Sequence, residues 1–499
     1  MVENARRMSL LSTSGVDRRT FLKTVSVAGV GLVAGGVPLL GGQSAGERRR
    51  CAIVGVGSRS QMYQDAIERD YRDHAQLVGI CDQNAGRLEV SRRRSRACGV
   101  TAAPGYAAGD FLKMIRETRP AVVIVCTMDS SHDDYIVQAM EAGCDVVTEK
   151  PMTTTAGKCQ RILDACARTG RQCRVLFNYR YSPPRTQVKD ILMSGEIGDV
   201  LSVDFHWLLD TDHGADYFRR WHSDKANSGG LMIHKSTHHF DLVNWWLGAV
   251  PRRVSAIGKR EFYTPAMARR LGLKSHHERC HTCPEQKNCG FFMNLAGSPT
   301  LKEIYLDQEQ HDGYVRDRCV FRPDINIEDT MNVIVHYDTG ATLSYSLNAF
   351  NSWEGYHVAF NGTKGRVEHT IVESSYVNGV DAVQGGIAEG GVTTRVIPLR
   401  GPAREITPWS GVGGHGGGDR VMLDDLFLPS PPADRYRRLA DERAGAHSVL
   451  VGIAANQCFE SGATVDVATL VRGLGRPDYA PMPSRTGPLP MPEKNARRS

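Results

Sequence analysis

Four short runs rich in β-branched and apolar residues, Cys51–Val54, Leu77–Cys81, Ala121–Cys126 and Asp145–Thr148, are separated by stretches long enough for a helix. Each run is too short for a buried helix and shows no polar alternation, so each reads as a strand buried on both faces. Strands alternating with helices predict a parallel, doubly wound α/β sheet, whose ligand lies at the strand C-termini. The first strand leads into Gly55-Val56-Gly57-Ser58-Arg59-Ser60. Gly55 permits a tight turn, and Gly57 lets backbone approach a diphosphate at a helix N-terminus. The third position of such a fingerprint is normally Gly or Ala; here it is Ser60. Asp82 ends the second strand, where a carboxylate can bond both ribose hydroxyls and repel a 2′-phosphate, so the expected cofactor is NAD. Arg92, Arg93, Arg94 and Arg96 keep NADP as the alternative, unless they form an ordinary solvated helix face. Thr127–His132 reads as a polar turn and Tyr135–Ala142 as a helix stopped by Gly143. The fourth strand delivers Glu149-Lys150-Pro151.

The 499 residues exceed what one core accommodates and fit two or three domains. With 41% hydrophobic and 23% charged residues, a fibrous repeat and wholesale disorder are excluded. A net charge of +6 is too balanced to indicate a nucleic-acid partner, and none is expected. At the N-terminus, Arg18-Arg19-Thr20-Phe21-Leu22-Lys23 precedes an uncharged, Gly/Ala-rich stretch from Thr24 to Leu40. That stretch is too short and too glycine-rich for a membrane span, which needs about 20 strongly apolar residues. The pattern resembles a twin-arginine (Tat) export signal. It implies the Tat machinery as a partner, an exported (periplasmic, extracellular or envelope) location and a soluble mature part. An uncleaved anchor is the competing reading.

In the second half, Val200–Leu209, Val254–Arg260, Met331–Tyr337, Ala341–Ala349, His357–Phe360 and Gly365–Ile371 read as strands with turn signals between them. Ser448–Glu460 reads as a closing helix, and the Pro/Arg-rich end as a disordered tail. Along the chain, Gly55-x-Gly57, Glu149-Lys150-Pro151, Asn178-Tyr179-Arg180-Tyr181-Ser182-Pro183 and Gly195-Glu196-Ile197-Gly198 follow in order. Ser228-Gly229-Gly230, His238 with Asp241, Trp246-Leu247-Gly248 and Asn361-Gly362-Thr363-Lys364-Gly365 continue the series. This ordered set, from about residue 51 to 475, resembles the Gfo/Idh/MocA family of glucose–fructose oxidoreductase, inositol dehydrogenase and relatives. The resemblance implies an N-terminal Rossmann domain and a C-terminal α+β domain with a large, mostly antiparallel open sheet. The expected boundaries are 1–45 for the signal, 46–177 for the NAD(P)-binding domain, 178–471 for the substrate and oligomerisation domain and 472–499 for the tail. A cysteine-rich insertion falls at about 275–322, and the open sheet is the expected homo-oligomer contact.

Family members move hydride between a nicotinamide and a carbinol carbon of a sugar or cyclitol. The resemblance implies cofactor contacts from Gly55, Gly57, Ser58, Arg59, Asp82, Thr127, His132, Glu149, Lys150 and Asn178. It makes Lys150 and His238 catalytic, the ammonium steadying an alkoxide and the imidazole accepting its proton. The chain departs from the family where many relatives have Asp and this one has His234. His234 and His238 are four apart and share a helix face, either around a sugar hydroxyl or as a metal pair. His234 joins the expected catalytic set, with Lys235 as an extra cation. Six of the 17 histidines lie between His206 and His239. Asp210, Asp212, His213, Asp216, Arg219 and Trp221 suit a polyhydroxylated ligand, or a solvated loop. His415, in the glycine-rich 411–418 stretch, is a substrate contact or part of a linker. Most of the 13 cysteines read as small core residues. Cys280, Cys283, Cys289 and Cys319 instead have spacing suited to structural zinc, to an iron–sulfur cluster or to disulfides. The expected function is an exported nicotinamide-dependent oxidoreductase on a sugar or cyclitol. The alternatives are a redox-neutral, sugar-cleaving enzyme with resident NAD(H), and a non-catalytic sugar-binding protein.

Overall fold

The computed structural model describes residues 47–275, 277–373, 386–411 and 414–492. The predicted export signal lies outside them. Strands β1 (Arg49–Val54), β2 (Ala75–Asp82), β3 (Gly105–Ala107), β4 (Val122–Val125), β5 (Asp145–Thr148) and β6 (Cys173–Val175) form a parallel sheet in the order β6-β5-β4-β1-β2-β3. The expected strands are all present. The three-residue β3 and β6 are too short to carry a hydrophobic signature. Crossover helices cover the sheet, among them α1 (Ser60–Asp65), α2 (Ala85–Ala97) and α3 (His132–Glu141). Ile53, Val123, Ile124 and Val146 are essentially inaccessible, as a sheet covered on both faces requires.

The second sheet is built from β7 (Val200–Asp210), β8 (Pro251–Lys259), β9 (Thr330–Tyr337), β10 (Thr342–Asn351), β11 (Glu354–Gly362), β12 (Gly365–Glu373), β13 (Ile387–Pro398) and β14 (Arg404–Glu405). A final edge pair at Val465–Asp466 completes nine strands, antiparallel throughout except for β7 beside β10. Burial alternates with period two along β9 and β12. One face packs Phe205, Trp207, Tyr345 and Tyr356 against helix α4 (Ser236–Leu247), every residue of which is buried. The other face carries polar residues, with His206 bonded to Ser346 and His357 to Thr370, together with the exposed Ile257 and Ile334.

The two halves interleave. Helix α5 (Gly418–Phe427) packs Met422, Leu426 and Phe427 into the core of the first sheet, where Phe427 lies 5.4 Å from Tyr71 between ring centroids. Strand β15 (Ala440–Asp441) adds an antiparallel edge to β6, and helix α6 (Glu442–Ser461) follows. The segment after Arg472, expected to be disordered, corrects that expectation through Met482. Ala480 is buried, Tyr479 lies 5.7 Å from the Arg180 guanidinium, and Lys189 Nζ is 3.0 Å from Met482 Sδ. Widely spaced apolar anchors hold this stretch, and average composition hides them.

Candidate active site

A cavity of about 640 Å³ opens where β1, β2, β4 and β5 end, and all the sequence-predicted cofactor residues line it. Its floor fits a dinucleotide. Gly55 has φ +83°, and a Cβ there would stand 2.6 Å from the Cys126 carbonyl oxygen, so only glycine makes the turn. At Gly57 a Cβ would meet only the Tyr305 hydroxyl, at 3.5 Å, which leaves this backbone open to the cavity. The Asp82 carboxylate accepts from Val56 N (2.7 Å), Asn84 N (2.8 Å) and Arg87 (3.2 Å), and so is held at the β2 end.

Several of these residues serve the walls. Glu149 accepts from Arg59 Nε at 2.6 Å and from the Tyr63 hydroxyl. Burial opposes its charge, but Arg59 and these hydrogen bonds outweigh it and hold the carboxyl below its usual range. His132 places its two ring nitrogens 2.9 Å from Pro151 O and 3.1 Å from Thr127 O, tying the Lys150-Pro151 turn to the turn after β4. Asn178 donates to Asp419 at 2.8 Å, and its buried Oδ1 has no partner. Asp419 also meets His415 Nδ1 at 2.9 Å, so His415, buried on the cavity wall, belongs to the site and not to a linker.

The chemistry-bearing groups gather deeper in. Lys150 Nζ donates to His234 O at 3.0 Å and lies 3.5 Å from His234 Nε2. Burial brings the ammonium down to about 8. On its other side His234 Nδ1 meets Asp129 Oδ2 at 2.6 Å. Burial, then the nearby Lys150, pushes His234 well below its ordinary value near 6.5. The ring is therefore neutral. Burial also pushes the Asp129 carboxyl well above its usual range, with Lys150 opposing, so a single proton joins Asp129 Oδ2 and His234 Nδ1 while Nε2 faces Lys150. His238 also lines the cavity, stacked on Tyr179 with 4.4 Å between centroids, and its Nδ1 has no partner. Burial keeps it neutral too.

Other expected contacts divide. His213 and Trp221 line the cavity, and His213 sits between Glu354 (2.7 Å) and the Tyr217 hydroxyl (2.9 Å). Asp210 caps the following helix through Asp212 N and His213 N, Asp216 pairs with Arg220 at 2.6 Å, and Arg219 turns to Cys280. Lys235 points into the sheet, 4.8 Å from the Trp207 ring centre and 3.8 Å from Glu354, and is no part of the cavity lining. His222 joins the lining from the histidine cluster between His206 and His239, whereas Asp129, Arg220 and Tyr305 carry no sequence signal of their own. The Thr127–His132 turn placed Asp129 at a strand end, but nothing local showed that it would meet His234.

The metal expectations are corrected. Among the described residues no group of three or more His, Cys, Asp or Glu could hold a metal ion. Cys280, Cys283, Cys289 and Cys319 do line one cavity of about 20 Å³, but with Phe291, Phe292 and Phe321. All four are free thiols, not disulfides, and burial pushes Cys319 up to about 11. Their spacing brought them together without aiming four thiolates at one point.

Residues 49–177 match the description "Oxidoreductase family, NAD-binding Rossmann fold", and residues 189–467 match "Oxidoreductase family, C-terminal alpha/beta domain". The protein belongs to the Gfo/Idh/MocA oxidoreductase family. It is 37% identical over 413 residues to "Putative oxidoreductase YteT" of Bacillus subtilis (strain 168), which covers 81% of this chain and 94% of that one. It is 31% identical over 201 residues to the inositol 2-dehydrogenase of Salmonella agona (strain SL483), covering 40% of this chain and 54% of the relative. Glycosyl hydrolase family 109 protein 2 of Akkermansia muciniphila is 29% identical over 159 residues, 31% of this chain and 33% of its own. In fold it is similar to the aldose-aldose oxidoreductase of Caulobacter crescentus, with a TM-score of 0.56, 17% identity, and coverage of 84% of this chain and 100% of that one.

Proposed function

We propose that the protein oxidises or reduces a carbinol carbon of a sugar, sugar derivative or cyclitol. The observation that carries this reading is the Asp129–His234 pair beside Lys150 and His238 on one cavity wall. A bound nicotinamide supplies the hydride acceptor or donor. Around it the protein's residues divide the proton work. His234, held in one tautomer by Asp129, takes the hydroxyl proton at Nε2, and the Lys150 ammonium steadies the oxygen that loses it. His238, stacked on Tyr179, offers a second neutral nitrogen toward the same space. Trp221 supplies an aromatic ring for the apolar face of a sugar. The inositol dehydrogenase and the aldose-aldose oxidoreductase among the similar proteins support this substrate class. The test is nicotinamide absorbance during incubation with a panel of aldoses, glycosides and inositols. Turnover with none of them would overturn the reading.

The second reading is redox-neutral: a transient ketone acidifies a neighbouring C–H, a group is eliminated, and the ketone is reduced back. Two neutral imidazoles on one cavity favour it, since the C–H proton needs its own acceptor, and the glycosyl hydrolase 109 similarity points the same way. Product release from a glycoside with no net nicotinamide change distinguishes it from simple dehydrogenation. Export through the Tat route and assembly through the outer face of the large sheet complete the proposal. Arg18→Lys with Arg19→Lys should leave the protein in the cytoplasm, and a single monomeric species by light scattering would remove the assembly.

A further inference from the structure

The cysteine-rich insertion does more than decorate the second domain. Its two ends are closed by paired backbone, with Cys280 N donating to Asp317 O at 2.8 Å and Cys319 N to Glu278 O at 2.7 Å. Between these ends the chain crosses to the nucleotide-binding half. The Tyr305 hydroxyl accepts from Ser58 N–H at 3.2 Å, directly on the Gly-x-Gly turn. Asn84 Nδ2 donates to Gln308 O at 2.9 Å, and a Cβ added at Gly86 would meet Gln308 Oε1 at 1.8 Å, so the start of α2 is covered with no space to spare. Arg87 bridges Asp82 and Asp312, and Arg93 pairs with Glu303 at 3.0 Å. Behind these contacts Arg316 lies 5.2 Å from the Tyr305 ring centre and 3.3 Å from Asp216, which fixes the other margin to the second half. The segment thus spans the mouth of the cavity from the turn after β1 to the end of β2.

We propose that residues 298–316 form a strap that retains the dinucleotide and selects NAD over NADP, with Tyr305 against the diphosphate turn and Asp312 as the selecting residue. This rests on the reading that a nicotinamide dinucleotide occupies the cavity. Ser58 N–H is one of the backbone donors that such a turn presents to a diphosphate. A phenol hydroxyl both accepts and donates, so Tyr305 can take this N–H and still offer its own proton to an anionic oxygen. Arg87 stands beside the Asp82 carboxylate, where its guanidinium alone would attract a 2′-phosphate. Asp312 supplies a second carboxylate to that one cation. It leaves the ribose end of the site with net negative charge, which a 2′-phosphate opposes and a ribose hydroxyl does not. The dinucleotide cannot leave past Tyr305 and Gln308 unless the strap lifts, and lifting it breaks the Arg87–Asp312 and Arg93–Glu303 pairs together.

The test is nucleotide release. Full-length protein loaded with NADH is diluted into excess NAD, and the loss of bound-NADH fluorescence gives the rate. Tyr305→Ala and Asp312→Ala should each release NADH about tenfold faster or more, the scale of one or two lost hydrogen bonds. Tyr305→Phe keeps the ring packing and should still release faster, which guards against a misfolded alanine variant. Asp312→Ala should also shift the NADP to NAD affinity ratio toward NADP by about tenfold, while Tyr305→Phe leaves that ratio unchanged. Release rates equal to wild type in all three variants would overturn the strap. Wild-type protein that takes up neither dinucleotide would overturn the cofactor reading itself, and the strap with it.

Discussion

A histidine whose Nδ1 is tied to a buried carboxylate has one basic nitrogen left, and in His234 that nitrogen faces Lys150. Burial lowers the proton affinity of both groups, which sets the pH range over which each can play its proposed part. The imidazole loses affinity for a proton, so it stays a base below pH 6.5. The ammonium also loses affinity, to about 8, so it is charged at neutral pH and discharged above that value. Turnover should therefore persist below pH 6.5 and fall as pH rises through about 8. Lys150→Arg should abolish the alkaline fall at reduced rate, since a guanidinium keeps its proton throughout this range. A pH–rate profile of the two proteins checks both limbs. Asp129→Asn should lower kcat by roughly 10²–10⁴-fold, the usual worth of a positioned base, because an amide can hold the ring in the wrong tautomer. Its cofactor affinity should be unchanged, as read by NADH titration. His234→Asp separates the two readings of function: loss of elimination with hydride transfer intact assigns the ring to C–H abstraction, and equal loss assigns it to both steps. At this scale the cofactor residues were legible because Gly-x-Gly and the strand-end Asp82 act through their own backbone neighbourhood. Asp129 was not, because its partner lies 105 residues away and only the fold joins them.

Among the elements, the β1–α1 turn has no room for a side chain at its first glycine. Gly55→Ala puts a methyl against the Cys126 carbonyl in a left-handed conformation, and neither backbone can yield cheaply. It should destabilise the protein by about 1–3 kcal/mol and weaken NAD binding, seen as a lower melting temperature and a weaker NADH titration. The turn at Asn178–Tyr181 has a different role from its neighbours in the family motif. Arg180 donates to both oxygens of Asp241 at 2.6 and 2.5 Å, so this pair pins the turn to α4 inside the core. Asp241→Ala leaves a buried cation without its carboxylate and should cost about 3–5 kcal/mol in denaturant unfolding. Long apolar strands could be read from sequence because their pattern is local. The three-residue β3 and β6 could not, and neither could the cysteine cluster, since spacing fixes which thiols meet but not where they point.

For the whole molecule, the described chain end is structural. Deleting residues from Arg472 onward would uncover the surfaces under Tyr479, Ala480 and Met482, and should lower stability by about 2 kcal/mol or more, measured by thermal unfolding. No loss would mean that this segment lies on the protein without supporting it. The interleaving of the halves reaches into biosynthesis. The first sheet lacks its outer strand, and the core of its nucleotide-binding half lacks α5, until the ribosome has passed Asp441. Until then β6 presents a bare edge to any other chain nearby. A nascent polypeptide halted near residue 180 carries every residue of the glycine turn yet only part of the packing that supports it. Nucleotide binding is thus deferred until Asp441 has been made, and products shortened before it should emerge empty.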